Sequence, residues 1–375
     1  MSNTFVILLT RLYKKTSLFI FFLSLLLSSC LSSNPKSQKS ETHFITDMNG
    51  RNIEIPIRIR SAVAHGAGAL RMICYLDRTD IIIGVESNEK KRNVPYLYAY
   101  PELRNLPIIG TGNNADPELI ARLQPEVIIC TFLSSSEADE LQKRTGIPVL
   151  CLSYGDFNKN ETNFYESMRL LGSILERNER AEYLINYIKN GLNSVEIACD
   201  KHASRARVYA GGIAFRGSHG INSTEPLYAP FRYAHAYNVA EGLVNNPNFS
   251  ASQLNNVIID KEQIIKWNPE KIFIDISSYT LSEPDLDKNS VVGKLIPAIQ
   301  KDEVYFLLPH IWHSVNYEHI LINTFYIAKV LYPDIYPDMD IKTKANEVYE
   351  AFLGKAIYDN LLDLYGMGCQ KINEK

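Results

Sequence analysis

The stretch Glu161–Ile197, ETNFYESMRLLGSILERNERAEYLINYIKNGLNSVEI, decides how the rest of the chain is read. Apolar residues fall at Phe164, Met168, Leu171, Ile174, Leu175, Ala181, Leu184, Ile185, Ile188, Leu192 and Val195. This is the three-to-four spacing of a buried helical stripe. No proline interrupts the run, and Asn160 stands where an N-cap belongs. The pattern predicts one helix of about 37 residues, roughly 55 Å long at ~1.5 Å per residue. A globular helix averages only about 11–12 residues. A helix of that length in mid-chain packs along something large or joins two bodies, so its flanks decide between the two.

The flanks echo each other. DPELIARLQPEVI at 116–128 precedes the helix and DKEQIIKWNPEKI at 260–272 follows it. Asp116/Asp260, Glu118/Glu262, Ile120/Ile264, Pro125/Pro269, Glu126/Glu270 and Ile128/Ile272 match at one constant offset. Each copy reads as a short helix with a capping aspartate and a first-turn glutamate, a Pro-Glu break and an apolar strand. Placed on either side of the helix, the repeat predicts two similar α/β lobes joined by it. The expected division is a leader at 1–29, a tether at 30–43, an N-terminal lobe at 44–160, the linker helix at 161–197 and a C-terminal lobe at 198–375.

Arg11, Lys14 and Lys15 open the leader, Ser17–Leu27 is apolar, and Leu27-Ser28-Ser29-Cys30 ends it in small residues before a cysteine. This is the layout of a signal peptide, and the apolar run is short for a membrane span. The Leu-Ser-Ser-Cys ending resembles a bacterial lipobox, which implies a lipid on Cys30 and an exported protein anchored to a bacterial membrane. The Ser-, Lys- and Asn-rich segment Leu31–Glu41 reads as a flexible tether.

The remaining 330 or so residues suffice for two sizeable cores. The 39 Lys and Arg less the three of the leader leave 36 against 42 Asp and Glu, without basic blocks, which argues against nucleic acid. Five of the six cysteines lie beyond the leader. Cys130 and Cys151 fall in strand patterns and read as buried thiols. Cys199 and Cys369 are the pair expected to bond in a compartment that permits disulfides, and Cys74 completes the five.

Along the chain, Phe44–Ile57 reads as a hairpin turning at Thr46–Arg51. Strands are expected at Ser61–Ala64, Ile81–Val85, Val127–Thr131 and Pro148–Leu152, then at Arg207–Ala210, Lys271–Ile276 and Val304–Leu308. Helical pattern resumes near Ala234. Alternation with helices implies parallel sheets covered on both faces.

The chain resembles the substrate-binding lipoproteins of ABC importers that carry ferric siderophores, haem and vitamin B12. The likeness is carried by Thr46-Asp-Met-Asn-Gly-Arg51, the 116–128 segment, Arg169-Leu-Leu-Gly-Ser-Ile-Leu-Glu-Arg177, Ile265–Asp275 and Tyr326-Ile-Ala-Lys-Val-Leu-Tyr-Pro333, and it covers essentially the whole mature chain. It implies the class III periplasmic binding protein plan, with two lobes on a single rigid linker helix. It also implies a monomer without an intrinsic cofactor that binds without catalysis and delivers its cargo to a permease and ATPase. Relatives dock through one glutamate per lobe, for which Glu102 and Glu241 are the candidates here.

Ligands of open α/β sheets sit beyond the carboxyl ends of the strands. Three loops there carry suitable chemistry. His65-Gly66-Ala67-Gly68 offers backbone N–H groups. A dinucleotide reading is weaker, because Arg71 replaces the third glycine of GxGxxG and an exported lipoprotein has little access to NAD. Gly211–Phe231 holds Arg216, Ser218, His219 and Tyr228, with Arg216 suited to an anion and His219 to a metal or anion. His310–Tyr317 holds His310, Trp312, His313 and Asn316. A subgroup of the family carries tyrosines where this chain has His310 and His313. Tyrosine hydroxyls suit Fe(III), whereas imidazoles suit borderline metals or a preformed chelate. An iron complex is the expected cargo. Molybdate or tungstate, or a corrinoid or haem, are the alternatives, and a metal chelatase is the enzyme alternative. Gly217-Ser218-His219-Gly220 is not GxSxG, and no HExxH occurs.

Overall fold

Two four-stranded sheets, every neighbour parallel, form the frame of the molecule. The computed structural model describes residues 41–111, 114–157, 160–202, 206–215, 217–246 and 256–374. The leader, Cys30 and Arg216 lie outside them. Residues Thr42–Lys375 make one compact unit.

The first sheet runs Ile82–Gly84, Ala62–His65, Val127–Thr131, Val149–Leu152 across its width. The second runs Tyr237–Asn238, Arg207–Gly211, Lys271–Asp275, Val304–Leu307. In both, the second strand in sequence order stands at one edge and the first beside it, followed by the third and fourth. The repeat units supply the equivalent third strands. Nearly every strand residue is buried, as expected when helices cover both faces. The edge strand Tyr237–Asn238 lies where the sequence pattern resembled helix. At two residues it is too short to show a period of two.

The two repeat helices, Pro117–Leu123 and Lys261–Trp267, both end on a left-handed residue, Gln124 (φ 53°) and Asn268 (φ 48°), before the Pro-Glu break. Asp116 caps its helix, accepting from the N–H groups of Glu118 and Leu119 at 2.9 and 3.3 Å. Asp260 occupies the equivalent position but makes no such bond.

The long helix expected at 161–197 is two helices, Glu161–Ile174 and Asn178–Asp200. The chain turns where Glu176 adopts φ 57°, and the Arg177 N–H bonds back to the Gly172 carbonyl at 2.7 Å. The apolar stripe runs through this break with nothing in its spacing to mark it. The signal is steric instead. A side chain at Gly172 would meet the Ala181 Cβ at 2.8 Å, so glycine and alanine let the two helices pack at the turn. Arg169 and Glu182 bridge it at 2.6 Å. Asn160 precedes the first helix without a side-chain cap and bonds Asp156 instead.

The hairpin Thr42–Thr46/Asn52–Pro56 docks on the first sheet through its turn. The Asp47 carboxylate accepts from the N–H groups of Asn49, Arg51 and Cys151, and pairs with the Arg51 guanidinium at 3.0 Å. Cys199 and Cys369 are not bonded to each other. All five described cysteines are free and buried in apolar surroundings. The closest thiols are Cys130 and Cys151, 3.5 Å apart on adjacent strands.

Candidate functional site

A cleft of about 1060 Å³ opens beyond the carboxyl ends of both sheets. Its walls come from the hairpin turn (Met48, Asn49), the loops after five of the eight sheet strands (Ala62–His65, Val127–Thr131, Val149–Leu152, Arg207–Gly211 and Val304–Leu307), and the start of the helix at Glu161. Phe132 and Phe215 project from the first-sheet and second-sheet sides, 67% and 43% exposed. Polar lining comes from Asn49, Ser153, Asp156, Asn160, Asn163, His313 and Ser314. Among the described residues the wall contains no lysine or arginine.

The residues expected at the site divide sharply. Trp312 and His313 line the cleft, and Ala67 is the one member of the 65–68 turn that does. His65 is buried, its Nδ1 2.9 Å from Glu86 Oε1, which also accepts from the Gly66 N–H at 2.9 Å. Gly66 and Gly68 have φ near +90°, where glycine carries no penalty. Their openness serves packing rather than ligand approach: a side chain at Gly66 would meet the Thr131 carbonyl at 2.5 Å, and one at Gly68 the Tyr154 ring at 2.1 Å.

In the second loop, Ser218 donates to the Ser277 carbonyl at 2.8 Å, and His219 Nε2 bonds the Phe215 carbonyl at 2.8 Å. Both side chains are engaged by the protein's own backbone. Tyr228 is buried edge-on to His310, ring centroids 4.9 Å apart, and its hydroxyl accepts from Asn323. His310 is buried against Glu225, Nε2 to Oε2 2.8 Å. Asn316 is buried and donates to the Pro309 carbonyl at 2.9 Å. Glu102 and Glu241 are exposed on short 3-10 turns. Among the described residues no three His, Cys, Asp or Glu side chains gather as a metal cage.

His313 reaches the cleft from a tight turn. Ile311 bridges Val315, and His313 and Ser314 between them both take left-handed backbone, φ 53° and 75°. Burial, with the positive charges of Arg92 and Arg71, pushes the His313 imidazole down to about 4. It is therefore neutral at ordinary pH, and can donate or accept a hydrogen bond without bringing charge. Asp275, at the end of its strand behind His310, is pushed up to about 6 by burial, against hydrogen bonds from Ser277.

Sequence reading did not assign Met48, Asn49, Phe132, Tyr154, Asp156 or Phe215 to the site. All lie just past a strand, where the carboxyl-end rule applies equally. The loops after Val127–Thr131 and Val149–Leu152 carry no histidine or metal-ligating signal that would single them out in sequence.

The profile of the family described as "Periplasmic binding protein" matches residues 68–310. The molybdate-binding protein MolA of Haemophilus influenzae is 26% identical over 349 residues, covering 87% of this chain and 95% of that protein. The structure of MolA bound to molybdate superposes with a TM-score of 0.66 at 22% identity, covering 84% of this chain and 98% of that one. A periplasmic solute-binding protein of Veillonella parvula gives 0.67 at 18% identity, covering 87% and 97%. Helicobacter pylori CeuE in a Ni-His complex gives 0.59 at 16%, covering 87% and 99%. Each shares the two-sheet α/β fold. Among the described residues no helix is long and apolar enough to cross a membrane.

Proposed function

We propose, since the chain belongs to the periplasmic binding protein family, that it captures cargo in the cleft and hands it to the permease of an ABC importer. The cargo in this reading is a tetraoxo anion of the molybdate or tungstate class. The observation that carries it is the likeness to the Haemophilus influenzae molybdate-binding protein along nearly the full length of both chains. The cleft chemistry is compatible. Asn49, Ser153, Asn160, Asn163, Ser314 and neutral His313 are hydrogen-bond donors, and such donors can hold an oxyanion without a formal counter-charge, while the Asp156 carboxylate of the wall accepts from Asn160. Arg216, whose residue type suits an anion, lies outside the described residues.

A second reading, an iron complex or other metal chelate such as a corrinoid or haem, is favoured by cleft size and lining. About 1060 Å³ stands at the upper end of small-molecule sites, which run roughly 300–1,000 Å³, and far exceeds a tetraoxo anion. Phe132, Phe215 and Trp312 offer flat apolar faces. In either case the protein binds and releases without making or breaking a bond, so the chelatase reading falls behind both. Export, a lipid on Cys30, a monomeric state, two lobes whose relative movement the linker keeps small, and permease docking through Glu102 and Glu241 complete the reading.

The test is thermal denaturation of residues 31–375 with molybdate, tungstate, sulfate, a ferric siderophore, haem and cobalamin. A ligand at 100 times its Kd stabilises by about 2.7 kcal/mol. A shift with molybdate or tungstate, absent with sulfate, supports the oxyanion reading. A shift only with a chelate replaces it by the second. Metal insertion into an added tetrapyrrole would overturn both.

A further inference from the structure

Arg71 stands where the third glycine of a dinucleotide fingerprint would fall, and it does not line the cleft. It is fully buried in the helix Ala69–Tyr75, which follows the first strand of the first sheet. Its guanidinium reaches across to the turn that carries His313. Nη1 donates to the Val315 carbonyl and to the Tyr154 hydroxyl, both at 2.6 Å, and Nη2 donates to the Trp312 carbonyl at 3.0 Å. The Tyr154 hydroxyl also donates to the Val315 carbonyl at 2.8 Å.

Those two carbonyls bracket the pair His313–Ser314. Consecutive left-handed residues with side chains are unfavourable, and neither position is glycine, asparagine or aspartate. The turn therefore needs something outside itself to hold it. The counter-charge for Arg71 is Glu318, fully buried at the start of the next helix, to which the Tyr75 hydroxyl donates. Burial opposes charge on Arg71, but Tyr154, Tyr75 and Glu318 together raise its pKa, and the guanidinium remains a cation. A planar fork can grip two carbonyls and a hydroxyl at fixed angles, whereas a lysine ammonium is a point charge on a flexible stem.

We infer that Arg71 is a positioning residue for the binding site: it crosses from the first-sheet half and clamps the Trp312–Val315 turn of the second, holding His313 toward the cargo. The cargo-binding part of this inference rests on the cleft being the cargo site. The clamp itself does not, so the two are read separately.

The chain has two tryptophans, Trp267 and Trp312. In a Trp267→Phe background, Trp312 fluorescence alone reports on the turn. Arg71→Met combined with Glu318→Gln removes both buried charges together. The expected result is a folded protein in which acrylamide quenches Trp312 at least twofold more strongly, while Glu318→Gln alone leaves quenching unchanged. Arg71→Lys keeps a charge opposite Glu318 and serves if the double variant does not fold; it is expected to raise quenching likewise. Unchanged quenching in either folded variant overturns the clamp. Molybdate and a ferric siderophore are then titrated against parent and variant. A tenfold or larger loss for the probe that binds the parent supports positioning for cargo, and unaltered affinity overturns it. A parent that binds neither, with quenching still raised in the variant, supports the clamp and counts against the cleft as the site for these cargoes.

Discussion

Both sheets hold a buried histidine at their ligand-facing end, and each is matched by a glutamate. His65 ends its strand in the first sheet and meets Glu86 at 2.9 Å; His310 lies just past its strand in the second and meets Glu225 at 2.8 Å. Three residues beyond His310, His313 has no such partner and lines the cleft. The residue type is the same in all three places. What differs is the backbone and the neighbouring carboxylate, so histidine at a strand end reports structure as readily as function.

Removing the carboxylates breaks the comparison most forcefully. Glu86 accepts from both His65 and the Gly66 N–H and lies 3.9 Å from Arg92. Glu86→Ala is expected to destabilise by about 3–5 kcal/mol, as loss of one partner from a buried ionic network does. Glu225→Ala should cost roughly 1–3 kcal/mol, the penalty of a stranded buried polar group. Chemical denaturation measures both. Near-equal, sub-kilocalorie losses would mean that the pairs do not anchor the loops.

The third histidine should behave in the opposite sense. His313→Ala is expected to change stability by less than about 1 kcal/mol, because among the described residues its ring packs on Trp312 but is matched by no carboxylate that the change would strand. Cargo affinity should fall about tenfold, or roughly 1.4 kcal/mol by isothermal titration. His310→Ala should do the reverse, lowering stability with little direct change in contacts to cargo. If both variants lose affinity equally, the division into structural and cleft-facing histidines fails.

Much of the frame was legible because it rests on patterns that survive in a single chain. The repeat at 116–128 and 260–272 placed the third strand of each sheet, and continuous apolar runs marked strands buried on both faces. The break at Glu176 was not legible. A helix stripe continues in register across a short turn, and the requirement for Gly172 opposite Ala181 appears only once both helices are in place. At the site, Trp312 and His313 were found because their loop carries unusual chemistry. Glu86, Glu225 and Arg71 were not, since nothing local says which distant carboxylate or carbonyl a buried polar group will meet. The packing around Gly66 and Gly68 is illegible for the same reason: their neighbours Thr131 and Tyr154 lie far along the chain.

Acid sharpens the contrast further. His313 is pushed down to about 4 and the buried His319 to about 3, both chiefly by burial. With folded values below the ordinary 6.5, the unfolded chain takes these protons first. Stability is therefore full above about pH 6.5 and is lost as pH falls toward 4. Asp275, raised to about 6 by burial, acts in the other direction, because the folded form takes its proton between about pH 6 and 4 before the unfolded chain does. His313→Asn should remove only its own share of the acid loss, about 1 kcal/mol between pH 6.5 and 5 once partial exposure is allowed for. Thermal melts at these two pH values measure it. An unchanged pH dependence would mean that His313 titrates alike in both states.

The smallest effect tests the backbone itself. The turns at Gly66–Gly68 and at His313–Ser314 both use left-handed residues at the end of a sheet, but the first uses glycine and the second does not. At Gly66 and Gly68 a methyl group would strike Thr131 or Tyr154, so alanine there should be destabilising. At Ser314 the argument runs the other way. Glycine would relieve about 1–2 kcal/mol of left-handed strain and lose up to about 1 kcal/mol in chain entropy. Ser314→Gly should therefore stabilise by roughly 0.5 kcal/mol, raising Tm by only about 0.7 °C in a unit of this size. It should also loosen the turn and weaken cargo binding modestly. Stabilisation with weaker binding would identify the strain at His313–Ser314 as retained for binding. A destabilised Ser314→Gly would mean that the serine makes a contribution to the fold that outweighs the strain of its backbone.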